Sequence, residues 1–554
     1  MLAAHKRPET LSALAGQEFD LTIIGGGITG AGIALDASSR GLKVALIEKG
    51  DFASGTSSKS TKLIHGGLRY LKQLEIQLVR EVGRERATVH RLAPHLVTSE
   101  KMLLPLIKEG TYGKTATSLG LWVYDILAGV QGSDKRRMLS KDETIAKEPL
   151  LRTDILVGGG YYAEYRTDDA RLTIENIKTA YQYDAVSANY VKAHDFKYRD
   201  GKVCGVQCRD MLTGDQFDIH SKYIISAAGP WVDNLRKKDK SLRGKHLFLS
   251  KGVHIVVPHE RFPLKQSVYF DIADGRMMFA IPRHRTTYIG TTDTPYEGDL
   301  NHIPIDLEDV TYLLDATNDM FPEANLTVAD VESSWAGLRP LIHEEGKSAS
   351  EMSRKDEIFE SETGLISIAG GKLTGYRKMA ERVVDVVAER FQKERNRSLP
   401  GAQTEKIPLH GGPFNDAVAV RRYWDGIADR IQTLGLSPYH AIYLVSNYGK
   451  ETERILQEWD TWKTGDPEES LARAEAWYTR EYELAQTALD FYNRRSGRLY
   501  FNLPSIRPTL PTILDDFQQA LGWSAERKQQ EVEAVEAAIR HVSTFEPATN
   551  PQAS

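Results

Sequence analysis

Three glycines and a carboxylate mark the first place in this chain where chemistry could happen. Gly25, Gly27 and Gly30 stand in the spacing G-x-G-x-x-G, and Glu48 follows eighteen residues after the last of them. In that spacing the first glycine permits a tight turn and the second lets backbone approach a pyrophosphate. The third lets a helix pack closely on a sheet. The N-terminus of such a helix offers free N–H groups and a positive dipole end. A carboxylate at the distance of Glu48 can take the ribose hydroxyls of an adenosine. The polar stretch at 51–67 adds the hydroxyls of Thr56, Ser57 and Ser58, which can bind phosphate or ring atoms. Two further glycine junctions follow. Gly229 ends an apolar run in small residues, where backbone can crowd a cofactor. Gly370, Gly371, Lys372, Leu373 and Thr374 stand between an apolar strand and a helix, and again aim N–H groups at something bound.

The elements around these residues agree with one another. Phe19 to Ile24 is rich in strand formers. Ala34 keeps the next helix slim and Gly41 ends it. Val44 to Ile47 is a second strand running into Glu48. Strand, turn, helix, strand and acid together predict a bound dinucleotide. The motif alone does not separate FAD from NAD. Its place at the head of a long chain, with no second fingerprint after it, favours FAD, and Lys372 then falls beside the flavin ring.

The chain has 554 residues, which implies two or three domains. Apolar residues make up 41% and charged residues 27%, as in a soluble globular protein, and the net charge of −5 gives no sign of nucleic acid binding. Cys204 and Cys208 alternate with Val206 on one strand face and read as core thiols in a reducing compartment. No HExxH motif and no cysteine cluster occurs, so no metal site is indicated. No segment has signal-peptide character, and no run of apolar residues is long enough to span a membrane, which leaves attachment at a membrane surface open.

The pattern predicts a leader over 1–18 with a short helix. Leu68, Leu71, Leu74, Leu78 and Val82 predict a helix up to Pro94. Residues 102–107 read as a strand with a break, 120–129 as a buried helix, and 131–150 as an exposed loop and short helix. The glycines at 158–160 mark a turn, and Asp168 caps a helix running to about Tyr183. Strands are expected at 202–208, 218–227 and 252–258, with hairpins at 277–296 and 358–370 and a helix opening near Asp306. After a linker at 396–410 the composition becomes helical. Arg339 is placed in a short turn, GLRPL, and Arg494 and Arg495 read as surface arginines or partners of structural carboxylates.

The strings DFASGTSSKSTKLIHGGLRYL (51–71), SAAGPWVD (226–233), KGVHIVVP (251–258), GTTDT (290–294), GLRPL (337–341) and GGKLTGYRKMAE (370–381) resemble the respiratory, FAD-dependent glycerol-3-phosphate dehydrogenases, in their bacterial form. Residues 474–498 and 520–531 resemble the helical cap of that family. The resemblance implies an α/β fold: a Rossmann-type FAD-binding domain, an interleaved α+β substrate domain of the glycine oxidase and D-amino-acid oxidase type, and a C-terminal all-α cap. The expected division is FAD-binding segments at 19–75, 155–245 and 355–395 and substrate segments at 76–154 and 246–354. The cap follows at 411–544 and a tail at 545–554.

It further implies non-covalent FAD, oxidation of sn-glycerol 3-phosphate to dihydroxyacetone phosphate, transfer of electrons to membrane quinone, and peripheral binding to the inner face of the membrane. Arg69 and Arg339 match substrate-site positions, where a guanidinium fork suits a phosphate. His254 matches an active-site histidine and is the first choice of general base, with His65 in reserve; either could instead be a histidine bonded to backbone near the flavin. Lys372 would hold either the flavin N1–C2 edge or the substrate phosphate. Tyr70 would bond the substrate or stack, and Thr374 would touch cofactor or cap its helix. Asp293 is family-typical near the flavin and also suits a tight turn. An oxidase of the same substrate, an amine oxidase of the same fold, and a non-catalytic flavin-holding protein are the rivals. Candidate membrane contacts are 119–130 and the basic face of Arg377, Lys378 and Arg382. A homodimer is only the commonest assembly.

Overall fold

A computed structural model describes residues 2–65, 76–108, 110, 135–343 and 356–548. Arg69, Tyr70 and the 119–130 segment lie outside them.

The strand Glu18–Ile24 is buried along nearly its whole length, as a parallel strand covered on both faces must be. It pairs in parallel with Val44–Ile47 on one side and Gln216–Ser226 on the other. Ile366–Gly370 extends the sheet beyond Gln216–Ser226, and Val186–Ala188 extends it beyond Val44–Ile47. Four returns of the chain therefore build one sheet. Asp356–Glu360 closes one edge, and a meander of Val191–Arg199 and Lys202–Asp210 branches from the middle. The helices Ile28–Ser39, Asp169–Tyr181 and Tyr376–Arg395 pack together on one face.

The second sheet has ten strands among the described residues. Leu247–Pro258 lies near one end between Thr286–Gly290 and Ser333–Ile342. In that register His254 stands opposite Gly290 and Trp335, and Ser250 stands opposite Arg339. After Ala417 the chain is helical to Ser543.

Several expectations are corrected. The short helix expected in the leader is Arg7–Gly16, and the leader is docked: Arg7 bonds the Asn189 carbonyl and the Asp210 carboxylate, while Leu2 and Ala3 are buried. Gly158–Gly160 form no turn; they lie inside the strand Leu156–Arg166, opposite Leu106 to Leu104. A Cβ at Gly158 would meet the Leu139 carbonyl at 2.8 Å, and one at Gly159 would meet the Thr144 hydroxyl at 2.8 Å. The glycines are there so that neighbouring segments can close over the strand. That strand belongs to the second sheet. The helix Ile76–Leu92 packs through Val89 and Leu92 into the core beneath the first sheet. The strand Thr98–Ile107 stays in register through Pro105, and its irregularity against Leu156–Arg166 falls between Leu106 and Ile107. Residues 137–139 form a strand before the capped helix Lys141–Lys147. Arg339 lies on the strand Ser333–Ile342 and not in a turn. The first tail residues are tied down, since Glu546 and Ala548 bond Leu307 and Glu308.

Candidate active site

The first glycine turn forms because its neighbours leave no room for anything else. Gly25 has φ +118°, and a Cβ there would sit 2.5 Å from the Ala227 carbonyl oxygen. At Gly30 a Cβ would lie 1.9 Å from the Gly25 carbonyl oxygen. Ser57 steadies the start of the following helix by accepting from the Ile28 N–H at 2.9 Å. A cavity of about 910 Å³ opens in front of this turn, at the upper end of the roughly 300–1,000 Å³ usual for ligand sites. Gly25, Gly27, Glu48, Thr56, Ser57, Gly229, Gly371, Lys372 and Leu373 all line it.

Glu48 is anchored more firmly than its distance from Gly30 suggests. Its two carboxylate oxygens accept from the N–H groups of Gly26 (2.7 Å) and Gly50 (2.9 Å). Burial raises its pKa, against the pull of those two bonds. The sequence reading missed three lining residues. Lys49 and Lys59 are both brought down to about 8, chiefly by burial. Trp231 stacks under the Lys49 ammonium at 3.6 Å. The signal for the last was present, since Gly-Pro-Trp directly follows the small-residue junction. Thr56 donates to the Leu338 carbonyl at 2.7 Å, so it ties the two sheets together besides lining the cavity. Ser58 is buried, and its carbonyl accepts from Lys62 Nζ at 3.0 Å. It supports the loop behind the wall. Lys62 also pairs with Asp169 at 2.5 Å, and Asp169 holds Ser60.

A second cluster of polar residues lies on the second sheet. Arg339 Nη1 pairs with Asp293 at 3.2 Å, and Nη2 donates to Thr291 Oγ1 at 3.0 Å. Ser250 also bonds Asp293. Asp293 therefore orients Arg339. A Cβ at Gly252 would fall 2.5 Å from Arg339 Nη2, so glycine lets the guanidinium lie against the strand. His254 is buried and stacks on Trp335 at 4.9 Å, with Nε2 3.0 Å from Thr61 Oγ1. Burial, then the charges of Arg339 and Lys62, hold its pKa well below the ordinary 6.5. Thr374 donates to the His65 carbonyl at 3.1 Å. It thereby brings the Lys372 turn to the end of the loop that starts at Thr56, and it acts there rather than as a cap. The His65 ring stands edge-on to Phe279 at 6.0 Å.

Chain comparisons agree with this geometry. A profile of the family described as FAD dependent oxidoreductase matches residues 20–411, and one described as the C-terminal domain of alpha-glycerophosphate oxidase matches residues 402–528. The aerobic glycerol-3-phosphate dehydrogenase of Bacillus subtilis is 49% identical over 95% of this chain and 96% of its own. This chain belongs to the aerobic glycerol-3-phosphate dehydrogenase family. The crystal structure of the glycerol-3-phosphate dehydrogenase from Bacillus halodurans, complexed with FAD, superposes with a TM-score of 0.85 at 43% identity, covering 99% of this chain and 100% of that one. Glycine oxidase from Geobacillus kaustophilus shares the fold at a TM-score of 0.53 and 20% identity, over 72% of this chain and all of its own. The expected fold class stands: a Rossmann-type FAD-binding sheet, an interleaved substrate sheet and an all-α cap.

The cavity fits the FAD of this family on its own chemistry. At Gly25 and Gly27 the cavity wall carries no side chain, so backbone can approach a pyrophosphate closely, and Lys49 and Lys59 offer cations along the same wall. Replacing Gly25 by alanine is expected to give protein that folds but retains less than about a tenth of the wild-type FAD, because one methyl collides with the Ala227 backbone. The flavin-to-protein absorbance ratio of the purified variant checks this; a normal ratio would mean the turn can yield.

Proposed function

We propose that this chain oxidises sn-glycerol 3-phosphate to dihydroxyacetone phosphate and passes the electrons to a membrane quinone while held peripherally at the inner face of the cell membrane. The observation that carries the reading is the Arg339–Asp293–Ser250 cluster beside His254. It holds a fixed guanidinium fork and a neutral imidazole on one face of the second sheet. Arg339 takes the phosphate or steadies the forming alkoxide, with Arg69 as its expected companion. Lys372, which lines the cavity in front of the glycine turn, supplies a further cation. When bound, FAD supplies the acceptor for the hydride that leaves carbon 2. His254 takes the hydroxyl proton; its depressed pKa keeps the ring neutral and able to accept. The same burial makes it a weak base, so proton uptake must keep step with hydride loss. His65 is the alternative base.

Quinone coupling rests on the family. Arg377 and Arg382 do not form a free basic face: they pair with Glu85 and Glu381, and with Glu81 and Asp356. Lys378 pairs with Glu381. Among the described residues no helix is long and apolar enough to cross a membrane. The anaerobic FAD-loaded protein should bleach on addition of sn-glycerol 3-phosphate and recolour quickly with a soluble quinone analogue but not with NAD. Fast recolouring by oxygen with peroxide would make it an oxidase, and absence of bleaching would remove the substrate.

The pH dependence tests His254 separately. The folded ring stays neutral where an unfolded one protonates near 6.5. Its contribution to stability is therefore present above about pH 6.5 and fades as the pH falls below it. Any acid limb it places on kcat/KM lies below 6.5. His254→Asn is expected to cost roughly 10²–10⁴-fold in flavin reduction. A limb centred above 6.5 that vanishes in this variant would contradict the assignment.

A further inference from the structure

The residues before Leu307 form a loop of the second sheet that reaches across to the first. Leu300, Asn301 and Ile303 line the same cavity as Glu48, Lys49 and Trp231. The contact between the two sides is direct. Lys49 Nζ donates to Asn301 Oδ1 at 2.7 Å, and the same ammonium lies 3.6 Å from the centre of the Trp231 ring. Lys49 follows the strand Val44–Ile47 of the first sheet, and Asn301 follows Thr294–Pro295 of the second. The bond therefore joins the two sheets at the cavity wall, at the end where Glu48 stands.

The loop is built to hold that position. The Asp299 carboxylate accepts from the Asn301 N–H and from Asn301 Nδ2, both at 2.9 Å. With Nδ2 so engaged, Oδ1 is the edge of the amide that faces Lys49. The Tyr296 hydroxyl stands 2.8 Å from the Asp299 carbonyl oxygen and 3.2 Å from that of His302, which closes the loop on itself. Gly298 makes room for this, since a Cβ there would lie 2.7 Å from Tyr296 Oη. The roots are fixed in the second sheet. The Tyr296 N–H bonds the Leu249 carbonyl at 2.9 Å, Ile303 and Ile305 are buried in that sheet's core, and Lys251 reaches Asp306 at 3.0 Å. Asn301, by contrast, is exposed, and Lys49 is half-buried.

We propose that residues 296–303 are a retaining strap over bound FAD, latched by the Lys49–Asn301 bond, so that release of the cofactor requires the strap to lift. An exposed loop held by few contacts opens locally at far less cost than the sheets it joins. The lifetime of a bound ligand is set by what must break before it departs. Here that is one hydrogen bond to an ammonium, reinforced by the stacking of the same ammonium on Trp231. Lys49 is thus a positioning residue for the strap besides being a cation of the wall. The inference rests on FAD occupying this cavity and is independent of the substrate and of the electron acceptor.

The test is exchange of bound FAD for labelled FAD held in excess, at fixed ionic strength and without substrate, where the rate of label uptake is the rate of release. Asn301→Leu, at an exposed loop position, should speed exchange about tenfold through loss of one hydrogen bond to a charged group. Lys49→Met should speed it about 30-fold, since the contact with the Trp231 ring goes as well. The double variant should be no faster than Lys49→Met, because both changes undo one latch; independent effects would multiply to about 300-fold. In the FAD-loaded Asn301→Leu protein, amide hydrogen exchange at 297–302 should be faster than in the loaded wild type. Should Lys49→Met take up no FAD, the release rate and the amide exchange of Asn301→Leu decide alone. A wild-type release rate in Asn301→Leu, multiplied effects in the double variant, or unchanged amide exchange at 297–302 would overturn the proposal and leave Lys49 a cation of the wall only.

Discussion

Arg339→Leu is expected to lower kcat/KM for sn-glycerol 3-phosphate by roughly 30- to 5,000-fold, the equivalent of about 2–5 kcal/mol for removing one partner of a half-buried, hydrogen-bonded charge pair. Two losses combine. The substrate phosphate loses a planar two-pronged donor, and Asp293 keeps its carboxylate beside Ser250 with no cation opposite. Arg339→Lys should fall between leucine and wild type, because the charge remains while the fork is lost. FAD content should not change, since the residue contacts the Thr291–Asp293 turn rather than the glycine turn. Stopped-flow flavin reduction under anaerobic conditions measures the effect. A leucine variant that reduces within a few-fold of wild type would remove Arg339 from the substrate site. Asp293→Asn gives an independent reading: with Arg339 intact but less firmly held, KM should rise more than kcat falls.

Asp51→Ala is expected to destabilise the protein by about 3–5 kcal/mol, the usual cost of stranding a buried charge. Asp51 follows the second strand of the cofactor sheet and is buried beneath the cap. It accepts from Arg494 Nε at 2.5 Å and from Arg495 at 2.6 and 2.9 Å. Asn189 donates to it at 2.9 Å. Burial acts to raise this carboxyl, but the two arginines outweigh it and hold it well below the ordinary carboxylate range. The stabilisation is therefore present above the unfolded value near 3.9 and is lost as the pH falls through the folded one. Removing the carboxylate leaves Arg495 with the Glu483 carbonyl and, at 4.0 Å, the Glu483 carboxylate among the described residues. Thermal unfolding followed by flavin fluorescence should show a lower midpoint with earlier flavin release. An unchanged midpoint would mean that the cap is not latched through this cluster.

What could be read from the sequence follows the range of the interactions involved. The glycine turn, its strand, its helix and Glu48 fall within about thirty residues, so local spacing sufficed. The Asp168 cap and the helix at Asp306 were legible for the same reason. Gly158–Gly160 were misread because the reason for glycine lies across the sheet, in Leu139 and Thr144. The pairing of Asp293 with Arg339 was not legible because the two stand 46 residues apart. Lys62 gave no signal at all; its role depends on Asp169, 107 residues later. Arg494 and Arg495 fit the expectation of arginines paired with a structural carboxylate, but the sequence could not show that the carboxylate was Asp51. The cysteines are close to the reading: both are free, with Cys208 buried and pushed up to about 12 and Cys204 half-buried.

The four-fold return of the chain to one sheet also governs how the protein can be made. Residues 18–24 cannot complete their neighbours until 216–226 have emerged, and the Lys372 turn waits for 366–370. At roughly 5–20 residues per second, the nascent glycine turn stands without the far side of its cavity for tens of seconds. Flavin capture is then a late event of synthesis, and a chain arrested anywhere before residue 370 should emerge colourless. Such a chain would expose apolar strand edges in the interval, which makes this stretch of translation the one most in need of a holding chaperone.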